Sequence, residues 1–133
     1  MHNSRFSFSR HLLACILFSS CLFGIAQAGF DEGLKAAQAG DYATALQEWK
    51  PLAENGNAKA QFNLGIMYGN GKGIPKDDVE ALRWTRKAAE QGLAEAQFNL
   101  GNMHNRGEGV PKDDVEAVRW TRNAAEQGLA DAQ

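Results

Sequence analysis

The sequence predicts an all-α protein, a right-handed solenoid of stacked helix-turn-helix units. Three observations carry that prediction. Residues 57–92 and 93–128 align without gaps at a period of 36, with 26 of the 36 positions identical. Within each copy, apolar residues return at helical spacing, and a glycine-rich loop divides the copy in two. Strand-like alternation is missing throughout. A period between 20 and 50 residues marks a stacked array in which each unit is one supersecondary element.

The N-terminus decides which residues belong to that array. Residues 1–11 carry Arg5 and Arg10 and no acid; an apolar run from Leu12 to Ala26 follows, closed by Ala26-Gln27-Ala28. A basic start, an apolar stretch and a small-x-small site are the three parts of a secretory signal peptide. Residues 1–28 are therefore read as a signal, with cleavage after Ala28 and export, most readily to a periplasm. The run is shorter than the roughly 20 residues of a spanning helix. Secretion and lipid anchoring at Cys21 are the alternatives, although Phe18-Ser19-Ser20 is a poor lipid-attachment site. Removing 28 of the 133 residues leaves 105, and Cys15 and Cys21 leave with them. The remaining chain must hold together by packing, and without a second long apolar run it should carry no membrane span. With Arg5 and Arg10 gone, 12 basic residues face 16 acidic ones. That balance argues against nucleic acid, whose binding rests on neutralising phosphates.

After the signal, residues 29–56 read as a diverged first unit. Ala45, Leu46, Ala53 and Gly56 lie 36 residues before Ala81, Leu82, Ala89 and Gly92, while Trp49 falls one position later than Trp84 requires. In the unit at 57–92, Ala60, Leu64 and Tyr68 recur every four residues beside Gln61 and Gly65, which makes one helical face. A glycine inside a helix costs up to about 1 kcal/mol relative to alanine. The return of Gly65 as Gly101 therefore points to close approach of another helix. The loop 69–75 follows, in which Gly71 and Gly73, like Gly107 and Gly109, can supply positive φ. Ile74 and Val110 should tuck under the turn. Asp77 reads as an N-cap with Glu80 completing a capping box. On the second helix, Ala81, Trp84, Thr85, Ala88 and Ala89 should be buried. Arg83, Arg86, Arg119 and Arg122 should be solvated and paired with acids such as Glu90. Gly92 ends the helix. The segment 93–128 repeats this design, and 129–133 opens a further, truncated unit. Such a unit cannot cover its own apolar face, so neighbours must stack on it.

These residues resemble the Sel-1-like repeats, a tetratricopeptide-like family. The resemblance rests on Ala60, Leu64, Gly65, Tyr68, Gly71, Gly73, Ile74, Asp77, Ala81, Trp84, Ala88, Ala89 and Gly92, repeated at the same spacing with His104 in place of Tyr68. It implies a helical solenoid acting as a protein-binding adaptor. Thr85 and Thr121 stand where the family prefers an aromatic, which implies looser cores, and Trp49 occupies that position in the diverged unit. A cysteine-rich subgroup is linked to penicillin binding and hydrolysis, so a cell-wall hydrolase is the alternative function. The absence of cysteine after residue 28 argues against it.

No catalytic set accompanies the pattern. Gly69–Gly73 lacks the preceding strand and the Gly-Lys-Ser/Thr ending of a phosphate loop. Asp77, Asp78 and Glu80 cluster without the ligand spacing of a metal site, and no cofactor is expected. His104, the last histidine after the signal, has no nucleophile in a motif and reads as a packing substitute for tyrosine. Function is then expected on the surface. Asn63, Asn99 and Asn102, with Met67 and Met103, lie beside the core arc of the first helices and form a candidate stripe for an unidentified protein partner. Amides beside flexible methionines suit peptide recognition. Phe62 and Phe98 should pack between units.

Overall fold

A computed structural model describes the backbone of residues 10–128 and the side chains of residues 21–128. The opening of a further unit at 129–133 and the basic residue Arg5 lie outside the described residues. Six helices follow one another: α1 (Arg10–Gln38), α2 (Tyr42–Glu54), α3 (Ala58–Asn70), α4 (Asp78–Glu90), α5 (Ala94–Arg106) and α6 (Asp114–Glu126). Each packs against the next in the chain, so that α1–α2, α3–α4 and α5–α6 form three antiparallel hairpins stacked side by side. No strand occurs among the described residues. The arrangement is the helical solenoid that the repeat predicts.

Local chemistry sets the helix ends. Asp77 accepts hydrogen bonds from the backbone N–H groups of Val79 and Glu80, both at 3.0 Å, and Asp113 does the same for Val115 and Glu116. The caps hold, but the capping box does not close. The N–H of Asp77 donates to the Tyr68 carbonyl instead, and the Glu80 carboxylate turns to Arg83. Each loop is thereby tied back to the first helix of its own unit, since Asp113 N–H likewise meets the His104 carbonyl.

Burial follows the expected faces. On α4 the buried residues are Ala81, Trp84, Thr85, Ala88 and Ala89. One apolar cluster joins Trp49, Ala53, Leu64, Met67 and Trp84 across the first two units; a second joins Ala88, Ala89, Leu100 and Trp120 across the next boundary, with Phe62 packed against it. The cores span unit boundaries, so a unit is stable only with its neighbours. The threonines stand at close helix contacts. A Cβ on Gly65 would stand 2.5 Å from Thr85 Oγ1 and 3.2 Å from the Ala81 carbonyl. Helices α3 and α4 touch closely there, and a small residue at 85 matches the glycine.

The first unit solves the same contact differently. Trp49 occupies the place of Thr85, and the residue facing it is Gly33, where any Cβ would run into the indole. Phe30 lies 6.1 Å from the Trp49 ring, and its carbonyl accepts the indole N–H at 3.2 Å. Between Gln38 and Tyr42 only three residues link the helices, whereas seven link Asn70 to Asp78.

Helix α1 has two unlike halves. Leu22, Phe23 and Ile25 are 60%, 75% and 65% exposed, while Gly33 is buried and Phe30, Ala36 and Ala37 pack on the core. Among the described residues no helix is long and apolar enough to cross a membrane.

Candidate functional site: a groove along the first helices

Two hollows lie between successive units and another within the last unit, each bordered by a first helix. The first, about 170 Å³, is lined by Tyr42, Trp49, Asn63, Met67 and Lys72 among others. The second, about 320 Å³, lies between α3 and α5 and includes Gly65, Asp78, Asn99, Met103, Arg106 and Glu108. The third, about 400 Å³, runs along α5 and α6 with Gly101, Asn102, Asn105, Lys112 and Thr121. Each of the three asparagines thus stands in its own hollow. All three are half-buried, and their amides make no hydrogen bond among the described residues.

The methionines do not belong to an exposed stripe. Met67 and Met103 are only 3% and 5% exposed. Met67 lies seven residues after Ala60 and three after Leu64, which places it on the core face of α3. Met103 repeats that relation to Ala96 and Leu100. Their side chains close the floor of the first two hollows, and recognition from the groove falls to the amides.

Charge at the rim is mostly neutralised within the chain. Lys76 stands 3.7 Å from Asp78, Lys112 3.5 Å from Asp114, and Arg106 3.7 Å from Glu108. Lys72 donates to the Tyr42 hydroxyl at 3.1 Å and lies over its ring. What remains free to bond is uncharged: amide donors and acceptors spaced by the repeat. Such a surface suits an extended polypeptide, whose backbone offers the complementary groups.

The other candidates resolve as structure. Asp77 caps α4, Asp78 pairs with Lys76, and Glu80 pairs with Arg83 at 2.7 Å. The Arg83 hydrogen bond holds the Glu80 carboxyl below its usual value against a small opposing effect of burial. The partner of Arg83 is therefore Glu80 and not Glu90; Arg119 likewise pairs with Glu116 at 2.9 Å. Among the described residues no three His, Cys, Asp or Glu side chains converge on one point. His104 is 5% exposed and takes the place of Tyr68, with neither ring nitrogen hydrogen-bonded among the described residues.

A glutamine ladder went unread in the sequence. Buried Gln61 donates to the Ala53 carbonyl at 3.0 Å and accepts from Gln91 at 2.7 Å; Gln97 donates to Ala89 at 3.2 Å and accepts from Gln127 at 2.6 Å. The bonds to Ala53 and Ala89 join one unit to the next, and those from Gln91 and Gln127 close the ends of a single unit. The ladder's signal was present, since Gln61 and Gln97, and Gln91 and Gln127, recur at the repeat period.

The chain was compared with known proteins. The model of the Sel1 repeat matches residues 58–93 and 94–129. A protective antigen of uropathogenic Escherichia coli strains, displaying an SLR fold, superposes with a TM-score of 0.78 at 37% identity, covering 82% of this chain and 24% of that one. A Sel1 repeat protein from Oxalobacter formigenes gives 0.72 at 42% identity, covering 75% and 41%. Helicobacter pylori cysteine rich protein B shares the fold at 0.64 and 23% identity, covering 80% and 91%. Over 50 residues the chain is 34% identical to the mouse DAP3-binding cell death enhancer 1, spanning 38% of this chain and a tenth of that protein. The chain thus spans well under half of the first two structures and of the mouse protein.

Proposed function

We propose that this chain, which belongs to the Sel1 repeat family, is an exported scaffold that holds a protein partner in the groove along its first helices. Members of the family are typically protein–protein interaction scaffolds. The observation that carries the reading is the placement of Asn63, Asn99 and Asn102, one in each of three successive hollows, with amides left unpaired. Half-buried amides have given up part of their hydration, and a polypeptide backbone laid along the groove would restore their bonds. The mouse relative is described by its name as DAP3-binding, in keeping with this reading.

Replacing the three asparagines with alanine should weaken capture of partner proteins from an envelope extract by at least about tenfold, the loss of some 1.4 kcal/mol over three hydrogen-bonding groups. Helical circular dichroism and thermal midpoint should stay near the parent. Unchanged capture by a folded triple variant would remove the groove from the proposal.

Export is supported by the two halves of α1. Leu22, Phe23 and Ile25 have no cover, and packing on α2 begins at Gly29 and Phe30. A segment made for a translocation channel needs no partner in the fold, whereas the remainder of the helix does. N-terminal sequencing of protein recovered from the envelope should begin at Gly29. A start at Cys21 would mean lipid anchoring, and an intact Met1 would mean no processing; either result overturns cleavage after Ala28.

A further inference from the structure

The outer face of the second helices carries a pattern that the groove does not use. The repeat returns a cation at one position, as Lys50, Arg86 and Arg122, and an acid four residues later, as Glu54, Glu90 and Glu126. All six side chains are exposed. Among the described residues none stands within ion-pair distance of an opposite charge. The order matters here, because a cation placed N-terminal to an acid at i, i+4 is the weaker arrangement on a helix. The neighbouring arginines behave otherwise, since Arg83 and Arg119 are held by Glu80 and Glu116. Three stacked units therefore display a row of positive charge beside a parallel row of negative charge, one helical turn apart, with both rows unneutralised.

We propose that this face pairs with the same face of a second copy of the chain, facing helices antiparallel, about a two-fold axis. An axis lying in the plane of the face, along the stack and between the two rows, sets Arg86 of each copy opposite Glu90 of the other. The same operation sets Lys50 opposite Glu54 and Arg122 opposite Glu126. A two-fold contact is self-complementary by construction, with one patch serving both copies. An anionic polymer laid on the basic row would meet the acidic row one turn away, and a cationic partner would meet the reverse. Only a surface that alternates in sign at the same spacing satisfies both rows, and this face has that spacing. Exposed ion pairs are individually weak and screened by salt, so the association is weak and electrolyte-sensitive.

Sedimentation equilibrium of the purified chain tests it. Self-association should appear at low ionic strength and fall by about tenfold or more on moving to roughly 0.5 M salt. Arg86→Glu and Glu90→Arg should each weaken it by about tenfold or more, because each reversal turns two symmetry-related attractions into repulsions. Helical circular dichroism should be unchanged, both residues being exposed. An equimolar mixture of the two variants should associate as well as the parent, since the carboxylates of one then face the arginines of the other. A chain that stays monomeric at low salt overturns the proposal. So does association that salt strengthens, which would mark contact through Leu22, Phe23 and Ile25. Single variants that associate like the parent, or a mixture that fails to restore association, overturn it equally. The asparagines of the groove are untouched in every variant, so the result is independent of the scaffold reading.

Discussion

Trp84→Ala should abolish cooperative unfolding of the array. Trp84 is 5% exposed and belongs to the cluster that joins Ala45, Trp49 and Ala53 of the first unit to Ala60, Leu64 and Met67 of the second. Truncating a buried tryptophan costs about 3–5 kcal/mol, against a total stability of about 5–15 kcal/mol for an ordinary domain. In a stack whose cores all lie across unit boundaries, that loss uncouples the first hairpin from the rest. The indole nitrogen of Trp84 makes no hydrogen bond among the described residues. The measurement therefore reports packing, together with the stacked cations Arg83 and Lys87, 4.3 and 4.9 Å from the ring. Urea denaturation followed by circular dichroism should show a broad, early transition for Trp84→Ala and a milder shift for Trp84→Phe. A midpoint for Trp84→Ala within error of the parent would mean that the cluster does not couple the units.

The repeat made most of this fold legible. A pattern that returns 26 of 36 residues can be satisfied only by two copies of one structure, and its internal spacing is that of helix, loop and helix. The buried face of α4 was readable because Ala81, Trp84, Thr85, Ala88 and Ala89 share one arc of a helical wheel. Three features were not readable, for different reasons. Gly33 lies 32 residues before Gly65, because the first unit has the shorter link, so a search at period 36 aligned the second helix and missed the first. Trp49 could be placed at the position of Thr85, but its contact with Gly33 could not be read. The methionines were placed with the asparagines by adjacency in sequence. Their i+3 and i+7 relation to Leu64 and Ala60 puts them on the core. The arginines were expected to pair with neighbouring acids such as Glu90, whereas Arg83 and Arg119 are held by Glu80 and Glu116, one turn back.

Candidate binding residues were legible only in part. Periodicity placed Asn63 and Asn99 at one position, but the hollow around each is completed by the preceding unit, and no single repeat shows it. Asn102 sits one turn further on and still reaches the next hollow, because the third space opens along α5 and α6. The glutamines recur in the sequence, but the bonds between them are not readable there for a related reason. Each bond joins residues 8 or 30 apart in sequence, the first separation set by stacking of units and the second by closure of one hairpin.

Gly73→Val should destabilise the protein by about 2–4 kcal/mol, while Lys72→Ala, one residue earlier, should cost under about 1 kcal/mol. Two separate effects act at Gly73. Its φ of +71° lies in the left-handed region, where a residue with a Cβ pays about 1–2 kcal/mol. A Cβ there would also stand 2.6 Å from the Cβ of Tyr42 and 3.0 Å from its carbonyl. The loop of the second unit rests on the start of α2 in the first, and any side chain at 73 would lift it away. Overpacking of that kind costs about 1–3 kcal/mol. Lys72 contributes only an exposed hydrogen bond and a cation contact to the Tyr42 ring. Gly92→Val separates the two effects, since Gly92 has φ +92° but nothing within 4 Å of its Cβ position. That variant should show the conformational cost alone. Thermal midpoints should therefore fall in the order Lys72→Ala, Gly92→Val, Gly73→Val, with the last the lowest. Equal losses for the two glycine variants would show that the loop does not bear on Tyr42, and that the units are held together by their helices alone.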